Sequence, residues 1–317
     1  MSRSLHIRKG LAFFLLALSL PACRTIEQGP AETATGFIAR HLPAPGEFGE
    51  PGAVKTDFQL PAVLQLCGEP VPADRPSVRE RLEYEFITVV HHPAQVELWR
   101  RRALRFFPLI ESSLRQAGLP DDLKYLAVAE SDLRPLVESP AGATGLWQFI
   151  PATARRFGVN VSGNEDQRLL PDLLLPAGIK YLSQLRNRFG SWPLAMAAYN
   201  AGEARVSGAL ASQGASDYWE LNLPRETERY VYRIAAIKLV LDGAQAYGFN
   251  GSPPAGLYAS AAYNEERVTF PAGTTWPALA ARFGCGYKDL KLLNPHLAAR
   301  QVLSGGPYLF RTPKKPV

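Results

Sequence analysis

Cysteine is scarce in this sequence and metal-ligand clusters are missing. Three cysteines occur in 317 residues, Cys23, Cys67 and Cys285, too few and too widely spaced for a disulfide framework. Cys67 and Cys285 are equally compatible with one bond in an oxidising compartment and with two free thiols. The five histidines form no His/Cys group with ligand spacing, so no metal is implied, and nothing in the sequence calls for another cofactor. Lys and Arg are never dense enough in one run to argue for nucleic acid as a partner. An apolar run long enough to span a bilayer is also absent. The stretch from Leu11 to Leu20 is too short for a permanent span, and behind the basic start Arg3, Arg8 and Lys9 it reads as a signal peptide rather than a buried helix.

That leader ends in Leu20-Pro21-Ala22-Cys23, which resembles a bacterial lipobox, with Pro21 an uncommon residue inside it. The resemblance implies lipidation of Cys23 after removal of residues 1–22, each buried methylene of the acyl chains contributing roughly 0.8 kcal/mol of anchoring. Arg24 in place of an aspartate after the cysteine implies the outer membrane, with the protein facing the periplasm. Residues 1–22 hold Arg3, Arg8 and Lys9 and no acid, so their loss takes the formal charge from +6 to +3. Much of the apparent basicity therefore belongs to the leader, and what remains suits an anionic partner only weakly.

With 46% hydrophobic residues, the chain can bury a sizeable core, one large domain plus a small one. Residues 23–80 are rich in Pro and Gly and read as a tether and irregular lead-in. Within "EYEFITVV", residues 83–90, partial alternation predicts a short strand. Trp99, Ala103, Phe106, Ile110 and Leu114 then recur at three- and four-residue steps, predicting a helix that Pro108 kinks or divides and that Gly118 and Pro120 stop. Asp121 is placed to cap the next helix, through "LKYLAVAES". Further helical patterns lie at about 151–157, 175–189, 192–200, 203–212 and 225–246, with no strand signal among them. The large domain is thus set at 81–247, mainly α.

A linker follows at 248–265. Residues 266–313 then read strand, helix, helix, strand: "RVTF", "TWPALAARFG", "YKDLKLLNP" and "PYLFRTP". So small a βααβ unit needs a tight core, for which Val268, Leu279, Phe283, Leu290, Leu293 and Leu309 are the candidates.

Four motifs in the large domain carry the chemistry: "AESDLRP", "SPAGATGLWQFIPATARRFG", "LAMAAYNAG" and "LPRETERYVYRI". Glu130 follows the apolar run Leu126 to Ala129, the setting in which desolvation raises a carboxyl pKa towards neutrality and makes a general acid. Alone, it reads equally as a solvated charge at a helix end. Gly142 and Gly145 permit close backbone approach, Trp147 offers an apolar platform or a core side chain, and Gln148 is a two-sided hydrogen-bonding amide. A saccharide, with apolar ring faces and a polar rim, suits that set. Gly202 marks a helix end just after Tyr199 and Asn200. Tyr230 stands one turn from Glu226, either on a cleft wall or buried in the core.

In this order the four motifs resemble the catalytic domain of family 1 lytic transglycosylases, lysozyme-like enzymes that cut bacterial peptidoglycan, over about residues 90–247. The resemblance implies a lysozyme-like helical fold and peptidoglycan glycan strands as partner; it says nothing about protein partners. It implies Glu130 as acid and then base, Ser131 orienting Glu130 by a hydrogen bond, and Tyr199 and Tyr230 supporting it. Gly145, Trp147, Gln148 and Asn200 are implied on substrate. The family needs no second carboxylate: the substrate's N-acetyl group stabilises the oxocarbenium-like centre, and its 6-hydroxyl closes a 1,6-anhydro ring. A two-carboxylate hydrolase stays open at this point, with Asp132 and Glu138 as nearby candidates, as does an inactive wall-binding scaffold. The tail resembles a degenerate LysM module, a peptidoglycan-binding unit, with Thr274 where an aspartate is usual and Asn294-Pro295 at its usual asparagine.

Overall fold

The structure, a computed structural model, describes residues 59–251, 253, 261–298 and 302–314. Cys23 and the leader lie outside them. Among the described residues no helix is long and apolar enough to cross a membrane.

The body is helical. A two-residue hairpin, β1 (Gln65–Leu66) with β2 (Glu69–Pro70), precedes eight helices: α1 (Pro76–Val90), α2 (Pro93–Gln116), α3 (Lys124–Ser131), α4 (Pro151–Arg156), α5 (Pro171–Phe189), α6 (Trp192–Ala201), α7 (Glu203–Gln213) and α8 (Arg225–Asp242). Pro76, Pro93, Pro151 and Pro171 each open a helix, where the missing N–H would be unpaired anyway. Gly190 and Gly214 close α5 and α7 in the left-handed conformation. The α1 and α3 helices pack against α8, and α6 lies between α5 and α8, so α8 runs through the centre. Its Val231, Ile234, Ala235 and Ile237 are fully buried there.

Three expectations change. Residues 83–90 form the end of α1, not a strand. Val78, Leu82, Phe86 and Val89 are all buried at helical spacing, and this longer period overrides the local β-branched run. The second helix is not divided at Pro108, because buried Phe106 and Ile110 hold both halves to the body and only one backbone bond is lost. The lead-in joins the core well before residue 80: Leu60, Leu64, Leu66 and Val71 are buried with the helices. Cys67 and Cys285 are both free, the first buried in the body and the second only partly buried in the tail module.

The tail is a βααβ unit: β3 (Tyr263–Thr275), α9 (Trp276–Phe283), α10 (Tyr287–Leu293) and β4 (Val302–Pro313), its strands antiparallel with Arg267 opposite Leu309. Leu279 and Leu290 are in its core as expected, but the centre is Trp276 with Phe270 and Phe310, and Leu293 sits at the rim of the groove facing the body. Asn294 is fully buried and works as a clamp. Its amide donates to the Leu290 and Arg311 carbonyls at 2.9 and 2.6 Å and accepts from Arg311 N at 2.7 Å.

The module is latched to the body. Asp166 N donates to His296 O at 2.8 Å, Ala298 N donates to Asn164 O at 3.0 Å, and Glu165 bridges to Leu297. The buried guanidinium of Arg311 joins Asp172 of α5 to Glu265 of β3 and lies 4.4 Å over the Tyr263 ring.

Candidate active site

The carboxyl of Glu130 sits at the C-terminal end of α3, and the chain turns sharply just beyond it. Asp132 and Leu133 both take the left-handed conformation, φ 55° and 56°, which stores roughly 1–2 kcal/mol at each non-glycine residue. Surrounding groups hold that turn: Trp99 Nε1 donates to Asp132 Oδ1 at 3.0 Å, and Arg102 donates to its main-chain oxygen at 3.0 Å. Asp132 is thereby committed to α2, away from Glu130.

Glu130 opens on a cleft of about 520 Å³ lined by Gln148, Phe149, Tyr181, Tyr199, Asn200 and Tyr230, among others. Half-buried, it accepts a hydrogen bond from the Tyr230 hydroxyl. Its carboxyl is pushed up to about 7. Burial is the main cause and Glu226 adds to it, while the Tyr230 hydrogen bond and Arg233 pull the other way. Glu130 is thus near half-protonated at neutral pH, able to give a proton and to take one back. Burial also holds the Tyr199 and Tyr230 phenols well above the usual range, so both remain donors.

Ser131 takes a different place from the one the resemblance implied. Its buried hydroxyl lies 3.0 Å from Ala127 O and 2.9 Å from Leu146 O, so its contacts are with backbone and not with the Glu130 carboxyl. It ties the end of α3 to the loop that carries Gln148.

Trp147 is not a platform. It is fully buried, packed over Gly178 of α5, where an added Cβ would come within 3.1 Å of the ring. Apolar surface in the cleft comes instead from Phe149, Tyr181 and Tyr199, whose ring centroids lie 5.3 to 6.0 Å apart. Gly145 likewise serves the scaffold: at φ 86°, its missing side chain makes room for Arg168 O, 2.0 Å from where a Cβ would stand.

Gln148 and Asn200 do line the cleft. The Gln148 amide nitrogen donates to Gly145 O at 2.9 Å and Val137 O at 3.2 Å, leaving its oxygen as the acceptor for other partners. Asn200 Oδ1 accepts from Thr227 Oγ1 at 2.8 Å, which leaves its NH₂. The two amides therefore offer one acceptor and one donor set. Glu138 is exposed and outside the lining, whereas Glu226 is within it.

Sequence reasoning overlooked Arg168 altogether. Held by Asp166, its guanidinium donates to Gly142 O at 2.7 Å and Phe149 O at 2.8 Å and fastens both ends of the cleft loop. Nothing local in the sequence marks it. Ser139 and Arg233, also on the lining, were missed as well. Arg233 had a readable signal, since Glu226, Tyr230 and Arg233 are spaced i, i+4, i+7 and share one helix face. Among the described residues no group of His, Cys, Asp and Glu is arranged to hold a metal ion.

Residues 107–222 match the transglycosylase SLT domain. Membrane-bound lytic murein transglycosylase D of Escherichia coli is 30% identical over 219 residues, covering 68% of this chain and 47% of that protein. Soluble lytic murein transglycosylase of Salmonella typhimurium is 38% identical over 86 residues, 26% of this chain and 13% of that protein. Among solved structures, lytic transglycosylase Slt of Pseudomonas aeruginosa aligns with a TM-score of 0.37 at 31% identity, covering 43% of this chain and 24% of that one. The chain thus carries an SLT domain similar to that of the lytic transglycosylases. It spans about half the length of the Escherichia coli relative.

Proposed function

We propose that this protein cleaves the β-1,4 bond between N-acetylmuramic acid and N-acetylglucosamine in peptidoglycan and leaves 1,6-anhydro-muramic ends. The observation that carries the reading is Glu130: a half-buried carboxyl, held at about 7 and bonded to Tyr230, on a cleft lined by aromatic rings and by the amides of Gln148 and Asn200. Protonated Glu130 gives its proton to the glycosidic oxygen as the C1–O bond breaks. The substrate's own N-acetyl group supports the positive centre. Glu130, now a carboxylate, takes the proton of the 6-hydroxyl as that oxygen bonds to C1, and the acid is restored for the next turn.

Glu226 on the cleft lining favours a second reading, a two-carboxylate hydrolase that adds water. Mass spectrometry of digested peptidoglycan separates the two: anhydro products are one water lighter than hydrolysed ones. Reducing ends without the anhydro ring would overturn the first reading.

Anchoring belongs to the same proposal. Cys23, once lipidated, holds the protein to the outer membrane on its periplasmic side; one relative is itself named as membrane-bound. Replacing it, Cys23→Ala, is expected to move the protein into the soluble periplasmic fraction, and sedimentation with membranes after a high-salt wash would refute the lipid anchor. The βααβ module, which resembles LysM, is read as a holder of wall glycan rather than a cutter.

A further inference from the structure

Glu85 is a buried carboxylate that the cleavage chemistry does not use. It stands on α1, only 2% exposed, and its contacts are two arginines of α8: Arg229 donates to Oε1, and Arg233 Nε lies 3.5 Å from Oε2. Burying a carboxylate is costly unless it is paired, so this pairing is maintained by the fold. Arg233 extends from there to the cleft wall. One and two turns back on the same helix face stand Tyr230, bonded to Glu130, and Glu226.

The charges around Glu130 are few. From α5 and α6 come the neutral phenols of Tyr181 and Tyr199, and from α8 come Glu226, Tyr230 and Arg233. On α3 itself, Lys124 is engaged with Glu111 and Asp121, and beyond the helix Asp132 is engaged with Trp99. The cleft loop's Glu138 is exposed and off the lining.

We propose that Arg233, oriented by Glu85, is a positioning residue set against Glu226, the two placing opposite charges about the Glu130 carboxyl. The inference rests on Glu130 being the acid. Burial and Glu226 favour the protonated form needed to start the reaction; Arg233 favours the carboxylate that must exist midway. Neither charge alone serves both halves of an acid-then-base cycle. An anion unopposed would hold the proton too firmly, and a cation unopposed would release it before substrate arrives.

The test is titration of the Glu130 carboxyl by ¹³C NMR in the whole protein, beside the pH profile of peptidoglycan turnover. Arg233→Met is expected to move the Glu130 midpoint up by roughly half a pH unit, the scale for a part-exposed charge at this range, and Glu226→Gln to move it down. With Glu130 as acid, the alkaline limb of the profile follows in each case. Arg233→Lys should return most of the shift. In a Glu85→Gln background the Arg233→Met step should shrink, because the cation is no longer held. Unmoved midpoints, or both moving the same way, would overturn the proposal; an undiminished step in the Glu85→Gln background would remove Glu85 from it. The two cleft variants alter accessible side chains and decide the matter even if Glu85→Gln fails to fold. Because the NMR midpoint needs no activity, loss of the acid assignment through an active Glu130→Gln enzyme would be told apart from failure of this inference.

Discussion

The Tyr199 hydroxyl donates to the Trp147 main-chain oxygen at 2.7 Å, joining the cleft end of α6 to the loop one residue before Gln148. That single bond couples the wall of the cleft to its hydrogen-bonding rim. Tyr199→Phe keeps the ring packing on Phe149 and Tyr181 and deletes only this link. A stability loss of about 1 kcal/mol is expected by thermal melting, with turnover of peptidoglycan reduced. Unchanged stability and turnover would mean that the loop is held without it.

Glu130→Gln should lower peptidoglycan turnover by ~10²- to 10⁴-fold, the loss typical of a general acid, and by more where base work goes with it. Its effect on stability depends on pH, with a definite sign. The folded carboxyl titrates at about 7 and the unfolded one near 4.5, so its favourable contribution is complete below 4.5 and is lost as pH rises through 7. At pH 8 the charged form opposes folding by at most roughly 3 kcal/mol, less what water in the cleft screens. The mutant should therefore melt higher than wild type at pH 8 and about equally at pH 4. A mutant less stable at pH 8 would contradict burial as the cause of the shift.

Asp132 tests the turn behind Glu130. Asp132→Asn retains an acceptor for Trp99 and tolerates the left-handed conformation, so most activity should survive. Asp132→Val loses the bond and places a branched side chain at φ 55°, for an expected loss of about 2–3 kcal/mol in chemical denaturation. Equal stability of the two variants would show that the turn is not strained.

Gly142 and Gly145 share a positive φ but differ in surroundings. A Cβ at Gly142 meets no atom within 4 Å, so Gly142→Ala should cost only the conformational preference, about 1 kcal/mol. At Gly145 it would collide with Arg168 O, so the alanine variant should lose several kcal/mol and much of its activity as the cleft loop is displaced. Thermal melts of the pair measure the difference directly.

The helical body, the βααβ tail and the place of Glu130 on a cleft were legible because each rests on local pattern. Apolar spacing marked the helices, and four motifs marked the cleft. Residues defined by long-range packing were harder to read. Trp147 and Gly145 stand in a saccharide-like motif, yet Gly178 and Arg168, brought in from α5 and the loop before it, turn both into scaffold. Ser131 adjoins Glu130 in sequence, but its hydroxyl finds backbone oxygens on both sides and has no need of the carboxyl. Asp132, a candidate second carboxylate by sequence, is turned away to Trp99, whereas Glu226 was passed over as a cleft carboxylate because it arrives from a helix nearly a hundred residues away.

The junction between tail and body bears on how the molecule comes apart. A βααβ unit of about fifty residues has a core near the lower limit for standing alone. Here strand-like pairing at Glu165 and Leu297 and the shared Arg311 guanidinium lend it the larger core's cooperativity. Heating should then give one calorimetric peak in place of two, and loss of Arg311 should split it, the smaller unit melting first.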